Sequence, residues 1–197
     1  MLPDSKTQPA VADLPGSVAL DGDTAADLVY DTRHDLFGYA QAMFSRDGKY
    51  RYLLTRRWAL TGTHCVWLML NPSTATASED DNTVNRITGY SRRWGHAGLV
   101  VVNLFAVRST DPKLLATIPD PVGPVNDTII RQVCRPGTQI IAAWGAHGTR
   151  FGRAAQVVKM LDGVDLSCLG VTGNGQPKHP LYCPLGLMPK PYLSDAS

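Results

Sequence analysis

The segment VWLMLNPST, residues 66–74, sets the architecture: five apolar residues lead directly into an Asn-Pro pair. Two later segments, GLVVVNLFA at 98–106 and IIAAWGAHG at 140–148, also end an apolar run at a polar or glycine-containing turn. Short apolar runs bounded by turn residues are typical of strands that are buried on both faces of a parallel sheet. Ligands bind outside the carboxyl ends of such strands, so these segments predict a binding site at one edge of a sheet.

Amphipathic segments separate these predicted strands. A helix is predicted to begin near Asn82, because apolar residues then recur at helical spacing: Val84, Ile87, Tyr90 and Trp94. A second helix, which Asn126 or Asp127 can cap, and a third over about 150–161 follow, with a fourth strand at 166–171. Strand–helix alternation with short connections predicts a three-layer α/β/α fold, with a mostly parallel sheet of four or five strands.

The residues before the first buried strand predict a hairpin. The triplet Arg46-Asp47-Gly48 lies between two semi-alternating stretches, which is a hairpin signal. The segment 50–58 is then expected to be an antiparallel strand at the edge of the sheet. Residues 1–25, rich in proline, aspartate and small side chains, are predicted to form a mobile arm, which leaves 26–197 as a single α/β domain.

Composition restricts the class of protein only weakly. The net charge of +2, from 19 basic and 17 acidic residues, neither requires nor excludes nucleic acid as a partner. The four cysteines show no CxxC pair and no Cys/His cluster, so reduced thiols are favoured and no metal or other cofactor is expected. No apolar run approaches the roughly 20 residues that span a bilayer, and no signal peptide is recognisable. We therefore expect no membrane partner and a cytoplasmic protein, while the oligomeric state stays open.

Two asparagines stand at predicted strand ends. The side chain of Asn71 offers two donors and two acceptor lone pairs, so it can hold a water molecule or pair with the edge of a base. Asn103 follows four apolar residues, and a buried amide must find hydrogen-bond partners, which a ligand can supply. The alternatives are structural: a turn cap for Asn71 and a hydrogen bond to a neighbouring loop for Asn103.

Trp144 and His179 are the other two candidates in this series. Trp144 and Gly145 end the third apolar run, where an aromatic wall and backbone N–H groups could meet a ligand. His179 stands in a loop bounded by glycine and proline, where an imidazole could stabilise a developing anion. A core tryptophan and an incidental loop histidine are the alternatives. Each signal is weak alone, and their order along the chain gives them weight.

That order resembles the motifs of the uracil-DNA glycosylase superfamily. In that superfamily a first strand is followed by a motif containing Asn-Pro or Asp-Pro, which Asn71-Pro72 matches, and a second apolar strand ends in asparagine, which Asn103 matches. A Trp-Gly motif and a His-Pro motif follow, and they are matched by Trp144-Gly145 and His179-Pro180. The resemblance spans about residues 64–184. Residues 50–184 are also similar to an uncharacterised bacterial and phage family, domain of unknown function 1643, with which they share L-N-P-S-T, N-L-F-A, A-A-W-G and H-P-L-Y.

The glycosylase resemblance implies both a fold and an activity. It implies a uracil-DNA glycosylase-like fold in which Asn71 positions or activates the attacking water. His179 would stabilise negative charge on the base carbonyl, and Asn103 would read the base edge, with Trp144 and Phe105 as aromatic contacts. Contact with phosphate is predicted from the residue types and not from the resemblance: hydroxyls or cations at Ser73, Thr74, Arg108 and Lys178 could bind it, while capping residues and solvated surface cations are the alternatives.

Two departures from the glycosylase motifs bear on the substrate. The serine that follows His-Pro and grips phosphate in that superfamily is Leu181 here, and the glycine-rich opening before Asn-Pro is Met69-Leu70. Arginines at 56, 57, 92, 93 and 108, with Lys178, could line one rim of the site, although four nearby acids oppose them. The expected partner is therefore a nucleobase-containing ligand, whether nucleotide, nucleoside or nucleic acid. The function expected is hydrolysis of an N-glycosidic bond; the alternative is a non-catalytic nucleotide- or nucleic-acid-binding module on the same scaffold.

Overall fold

The structure, a computed structural model, describes Val18, residues 27–35 and residues 38–192. The strands are β1 (Leu28–Asp35), β2 (Gly38–Ser45), β3 (Arg51–Arg57), β4 (His64–Met69), β5 (Gly98–Asn103), β6 (Gln139–Ala142), β7 (Leu166–Cys168) and β8 (Lys190–Pro191). The α-helices found in these described residues are α1 (Asn82–Arg93), α2 (Asn126–Val133) and α3 (Arg153–Met160). The arm predicted for residues 1–25 lies outside the described residues except for Val18, and the division of the chain at residue 26 stays a prediction.

The described strands form one eight-stranded mixed sheet with the order β1-β2-β3-β5-β4-β6-β7-β8. Strands β5, β4, β6 and β7 run parallel to one another, whereas the other four pairings are antiparallel. The α/β architecture is confirmed, but the prediction of a mostly parallel sheet of four or five strands is wrong. The reason is that only the strands from β4 to β7 are joined by long crossovers, while β1 to β3 are joined by short connections and extend the sheet in antiparallel fashion.

The predicted hairpin is confirmed at β2 and β3. Asp47 closes its turn, where its carboxylate accepts hydrogen bonds from the Ser45 hydroxyl at 2.5 Å and from the Lys49 backbone N–H at 3.0 Å. The expectation that β3 lies at an edge is wrong, because β3 pairs with β2 on one side and β5 on the other. The edge is instead occupied by β1, a largely exposed strand whose sequence carries too little apolar alternation to predict it.

Helices cover both faces of the sheet, as predicted. On the α1 face, Trp67 of β4 and Val101 of β5 pack with Ile87 of α1. On the opposite face, Leu68 and Val102 belong to a second apolar cluster, together with residues of α2 and α3: Ile129, Ile130, Ala154 and Val157. Successive residues of β4 and β5 therefore alternate between two buried layers, which explains their continuous apolar runs.

The starts of α1 and α2 differ in how they are capped. Helix α1 begins where predicted, and the carboxylate of Asp81 accepts a hydrogen bond from the Val84 backbone N–H at 2.8 Å. The prediction that Asn126 or Asp127 caps α2 is wrong, because the capping position is Val125, which makes no side-chain hydrogen bond there. The Asn126 amide is used to bind β5, and the Asp127 carboxylate pairs with Arg153.

The four cysteines are all buried and form no disulfide with one another. Burial raises the pKa of the Cys65 and Cys134 thiols to about 12, so both stay protonated at neutral pH. No group of three or more metal-binding side chains occurs in the described part of the chain. None of the helices described for this chain is long and apolar enough to cross a membrane.

Candidate functional site

A cavity of about 660 Å³ opens at the carboxyl ends of β4, β5 and β6. From β4 the chain crosses to β5 on one side, and from there it returns to β6 on the other side of β4. The crevice outside the carboxyl ends at such a reversal of strand order is where ligands bind in open α/β sheets. The volume is in the range of small-molecule sites. The parallel part of the sheet therefore places the cavity where a ligand site is expected.

The structure brings six of the nine predicted site residues into the wall of this cavity. They are the four strand-end candidates and two of the four phosphate-binding candidates: Asn71, Asn103, Trp144, His179, Ser73 and Lys178. These residues come from segments up to about 100 positions apart in the sequence. Their chemical roles stay predictions, but their common location follows from the fold.

The other three predicted site residues are not brought to the cavity wall. Phe105 is fully buried in the core on the α2 and α3 side of the sheet, with its ring edge-on to Phe151 at 6.1 Å. Thr74 is exposed on the loop after β4 and does not line the cavity. The Arg108 guanidinium lies over the Phe44 ring at 5.1 Å and donates to a backbone carbonyl of the hairpin turn. The stacking role suggested for Phe105 thus has no support in its position.

The arginines expected at the rim of the site lie elsewhere. Arg56, Arg57 and Arg92 line a separate cavity of about 360 Å³. Arg56 is bound to Asp80, with the two atoms Nη2 and Oδ1 2.6 Å apart, and Arg92 lies over the Trp58 ring at 4.7 Å. Of the cations that were proposed to line the rim, Lys178 alone is among the residues described in the wall of the main cavity.

Asn71 is held by the loop that follows β5. Its Nδ2 donates to the Ser109 carbonyl at 2.8 Å and to the Pro72 carbonyl at 3.1 Å. Both N–H groups of the amide are therefore used within the protein. What Asn71 offers to a ligand or to a water molecule is the acceptor Oδ1.

Asn103 has a buried donor without a partner. The residue is 2% exposed, and its Nδ2 makes no hydrogen bond to any described residue. Its backbone carbonyl is held in place by the Asn126 Nδ2 at 3.0 Å, so the strand end is fixed while the side-chain amide is not satisfied. A buried donor left in this state costs about 1–3 kcal/mol, and its position in the cavity wall is where a ligand acceptor would remove that cost.

His179 precedes a short 3₁₀ turn at Pro180–Tyr182, and the turn determines its tautomer. The backbone N–H of Leu181 donates to Nδ1 at 3.4 Å, so the neutral imidazole carries its proton on Nε2. Burial lowers the pKa of His179, and the carboxylate of Asp81 partly opposes that shift. The ring is therefore neutral at neutral pH and has an N–H donor available.

Trp144 forms a fixed wall of the cavity. The side chain is 1% exposed, and its indole N–H donates to the Gln176 carbonyl oxygen at 2.8 Å. Gly148 packs against the ring, because a Cβ at that position would lie 2.0 Å from Cδ1 of Trp144. The donor and the ring position of Trp144 are thus both set by the protein, so it contributes surface rather than a free polar group.

Several residues of the cavity wall were not predicted as site residues from the sequence, and three of them bring a charge or an aromatic ring: Arg51, Asp81 and Tyr182. Arg51, the first residue of β3, is 3% exposed, and Asp81 is the cap of α1. Tyr182 is 82% exposed, with its ring centroid 5.9 Å from that of His179, which places a free aromatic ring at the cavity mouth. Tyr182 ends the K-H-P-L-Y segment, and that adjacency was the available signal; nothing in the pattern around Arg51 pointed to the cavity.

The chain belongs to the family described as "Protein of unknown function (DUF1643)", whose family model matches residues 51–181. The similarity seen in the sequence to that family is therefore confirmed. The match begins at Arg51 and ends just beyond His179, so it covers nearly all of the segments that form the cavity. No curated protein and no solved structure gives a significant match.

Proposed function

We propose that this member of the DUF1643 family is a nucleobase-directed hydrolase that cleaves an N-glycosidic bond in the cavity at the carboxyl ends of β4, β5 and β6. The fold that we propose is correspondingly uracil-DNA glycosylase-like in its parallel part. The observation that carries the proposal is the unpartnered buried Nδ2 of Asn103 in the same cavity as an imidazole whose free nitrogen is a donor.

Base recognition is assigned to Asn103. Its Nδ2 would donate to a carbonyl or ring nitrogen of the base, which removes the cost of leaving that donor unpaired. Trp144 would bound the base on one side, and the exposed ring of Tyr182 would stack on it at the mouth of the cavity. These contacts favour a flat ligand with a polar edge.

Leaving-group stabilisation is assigned to His179. In the hydrolysis, the bond between the sugar C1′ and the base nitrogen breaks, and the electron pair stays on the base. Nε2–H of the neutral ring would donate to the base oxygen on which that charge develops. Because the pKa of His179 is lowered by burial, the neutral donor form persists below the pH at which an ordinary histidine protonates.

Water positioning is assigned to Asn71. Its amide N–H groups are held by the Ser109 and Pro72 carbonyls, so Oδ1 is directed by two fixed bonds and can accept a hydrogen bond from water. The water oxygen bonds to C1′ as the base leaves, and the water proton passes to the departing base anion. An amide cannot take up this proton as a general base, so Asn71 would orient the nucleophile and not activate it.

A specific observation favours the second candidate, a binding module without turnover. Asp81 is the one carboxylate among the described residues of the cavity wall, and it already accepts the capping hydrogen bond of α1. A site with no uncommitted base is suited to hold a ligand as much as to hydrolyse it. Catalysis would then depend on the stabilisation of the leaving group by His179.

The two candidates are separated by a panel of nucleosides, nucleotides and oligonucleotides containing uracil, hypoxanthine or mismatched thymine. The hydrolase should release free base from at least one of them, detected by liquid chromatography and mass spectrometry, and Asn71→Ala should abolish release while binding remains. Tight binding without release by the wild-type chain would establish the module. If no member of the panel is bound or hydrolysed, a nucleobase-directed function for this cavity is excluded.

A further inference from the structure

The cavity wall contains a buried cation that no role assigned so far uses. The Arg51 side chain is 3% exposed, and its Nη1 donates to the Ala75 carbonyl at 2.7 Å. Its Nε has no hydrogen-bond partner, and Arg51 forms no ion pair with any described residue. A guanidinium that is buried with a single neutral hydrogen-bond partner is costly, because its charge has lost its hydration without a carboxylate in contact to replace it.

A β-bulge directs this cation toward the cavity. Leu53 of β3 pairs with Met43 and Arg51 pairs with Phe44, which leaves Tyr52 without a partner on β2. As a result Tyr52 and Leu53 both join the apolar cluster on the α2 and α3 side, where regular alternation would separate them. Arg51 is thereby placed on the α1 face. Bulges next to functional sites commonly redirect one side chain in this way.

The surroundings of Arg51 are rich in hydrogen-bond donors. Three hydroxyl side chains in the wall of the same cavity can donate to a ligand: Ser73, Thr83 and Thr110. Thr83 and Val84 belong to the first turn of α1, whose backbone N–H groups carry partial positive charge. Burial lowers the pKa of Arg51 to about 10, and the negative charge of the Asp81 carboxylate partly opposes that shift. Arg51 therefore stays cationic at neutral pH.

We infer that Arg51 binds a terminal phosphate monoester, so that the ligand of this cavity is a nucleotide with a free phosphate and neither a nucleoside nor an internal residue of a strand. This inference rests on the proposed function, since it takes a nucleobase to occupy the Asn103 side of the cavity. Asn103 is the last residue of β5, and Arg51 is the first residue of the neighbouring antiparallel strand β3, so the two lie at the same edge of the sheet. Both line the same cavity and are almost fully buried. One ligand can satisfy both only if it carries a base edge and an anion into the interior.

The depth of Arg51 argues against the backbone of a nucleic acid. Enzymes that act on a base within a strand take the base into a pocket while the polymer backbone remains outside. An internal phosphodiester would therefore stay at the cavity mouth, near Lys178, which is exposed. A terminal phosphate can come from a free mononucleotide or from the 5′ end of an oligonucleotide, and both have the charge and the oxygen acceptors that a guanidinium binds.

The test is a binding series measured by isothermal titration calorimetry on the full chain. The probes are nucleosides, their 5′-monophosphates, ribose 5-phosphate, inorganic phosphate, and trinucleotides with and without a 5′-phosphate. We expect the best monophosphate to bind roughly ten- to a hundredfold more tightly than its nucleoside, the range for a charge-assisted contact. If a 5′-phosphate increases the affinity of the trinucleotide as much as that of the nucleoside, the bound phosphate can come from the end of a strand. If it increases only the affinity of the nucleoside, the ligand is a free nucleotide.

The variant Arg51→Met removes the charge and keeps an unbranched side chain. Replacing a buried unpaired cation by an apolar residue should leave the fold intact, and the variant should bind monophosphate and nucleoside within about twofold of each other. Arg51→Lys should retain part of the preference, and Arg131→Met, at an exposed position of α2, should retain all of it. If the apolar variant does not fold, the comparison of ligands on the wild-type chain still decides the matter.

The outcomes distinguish this inference from the function on which it rests. Equal affinity for nucleosides and monophosphates, or a phosphate preference that survives Arg51→Met, overturns the phosphate site and leaves nucleobase binding intact. If ribose 5-phosphate binds in an Arg51-dependent way, and no nucleoside monophosphate binds more tightly than it does, the phosphate site is upheld and the nucleobase function is overturned. Failure of every phosphorylated probe to bind overturns the phosphate site.

Discussion

Replacing Asn103 by leucine should make the protein more stable and remove base recognition. Asparagine and leucine side chains have the same number of heavy atoms and both branch at Cγ, so the substitution deletes the amide without leaving a cavity. The Nδ2 of Asn103 is buried and bonded to no described residue, and such a donor costs about 1–3 kcal/mol. For a chain of 197 residues, recovering that cost raises Tm by roughly 2–10 °C.

The same substitution should weaken the binding of the tightest nucleotide roughly ten- to a hundredfold. The loss follows because the base acceptor that pairs with Nδ2 in the complex would face a methyl group. Tm is measured by differential scanning calorimetry and affinity by calorimetric titration on one preparation. A variant that is less stable than the wild type, or one that binds with unchanged affinity, would refute the assignment of Asn103 to base recognition.

Asn126→Leu is the matched control. Asn126 is also fully buried, but its Nδ2 donates to the Asn103 and Leu104 carbonyls at 3.0 and 3.2 Å. Its Oδ1 is unpaired among the described residues, which offsets part of the loss, so the substitution should destabilise the protein by about 1–2 kcal/mol. Asn126 does not line the cavity, so the folded fraction of the control should lose much less affinity for the nucleotide than the Asn103 variant loses.

Three further perturbations test the charges of the site, its aromatic ring, and one half-buried histidine remote from it. Asp81→Asn, which keeps the helix cap, should move the acidic limb of the pH–activity profile to lower pH, because the Asp81 carboxylate raises the pKa of His179. The control variant Glu79→Gln should leave the acidic limb in place. Burial lowers the pKa of His64 from 6.5 to about 4, so the unfolded chain binds more protons than the folded protein between these pH values. The free energy of unfolding should therefore fall by about 1–2 kcal/mol as the pH drops through that window. Denaturant titrations of His64→Leu should show a weaker dependence of this free energy on pH. Tyr182→Ala should weaken nucleotide binding roughly fivefold or more with unchanged Tm, since the ring is 82% exposed, and Tyr182→Phe should bind normally; unchanged affinity in the alanine variant would exclude stacking.

The parts of the fold that could be predicted are those that the local spacing of apolar residues or the type of turn residues indicates. Strands β4 and β5 are continuous apolar runs, and α1 has an apolar residue every three or four positions, so both were recognisable. The hairpin at Asp47 was recognisable from its turn chemistry. The position of β3 inside the sheet was not, because the choice between an edge and an interior position depends on whether another strand pairs with it, and β1 has no strong pattern of its own.

The candidate site was predictable to the extent that it lies at strand ends. Asn71, Asn103 and Trp144 follow apolar runs directly, so the rule for carboxyl ends places them together. Phe105 follows Asn103 by only two residues, yet the chain turns its ring into the opposite core. Arg51 reaches the cavity through a bulge, and a bulge changes which face a residue occupies without changing the sequence pattern. Side-chain direction at such irregular points cannot be derived from periodicity.

The measurement that tests the central claim most directly is a single-turnover reaction in ¹⁸O-labelled water. Excess protein is mixed with the tightest-binding nucleobase ligand, and the masses of the products are measured by mass spectrometry. Hydrolysis of the N-glycosidic bond predicts unlabelled free base and one ¹⁸O atom on the sugar, with release lost in His179→Ala. Intact ligand recovered from a saturated complex, or release that His179→Ala leaves unchanged, would contradict the claim.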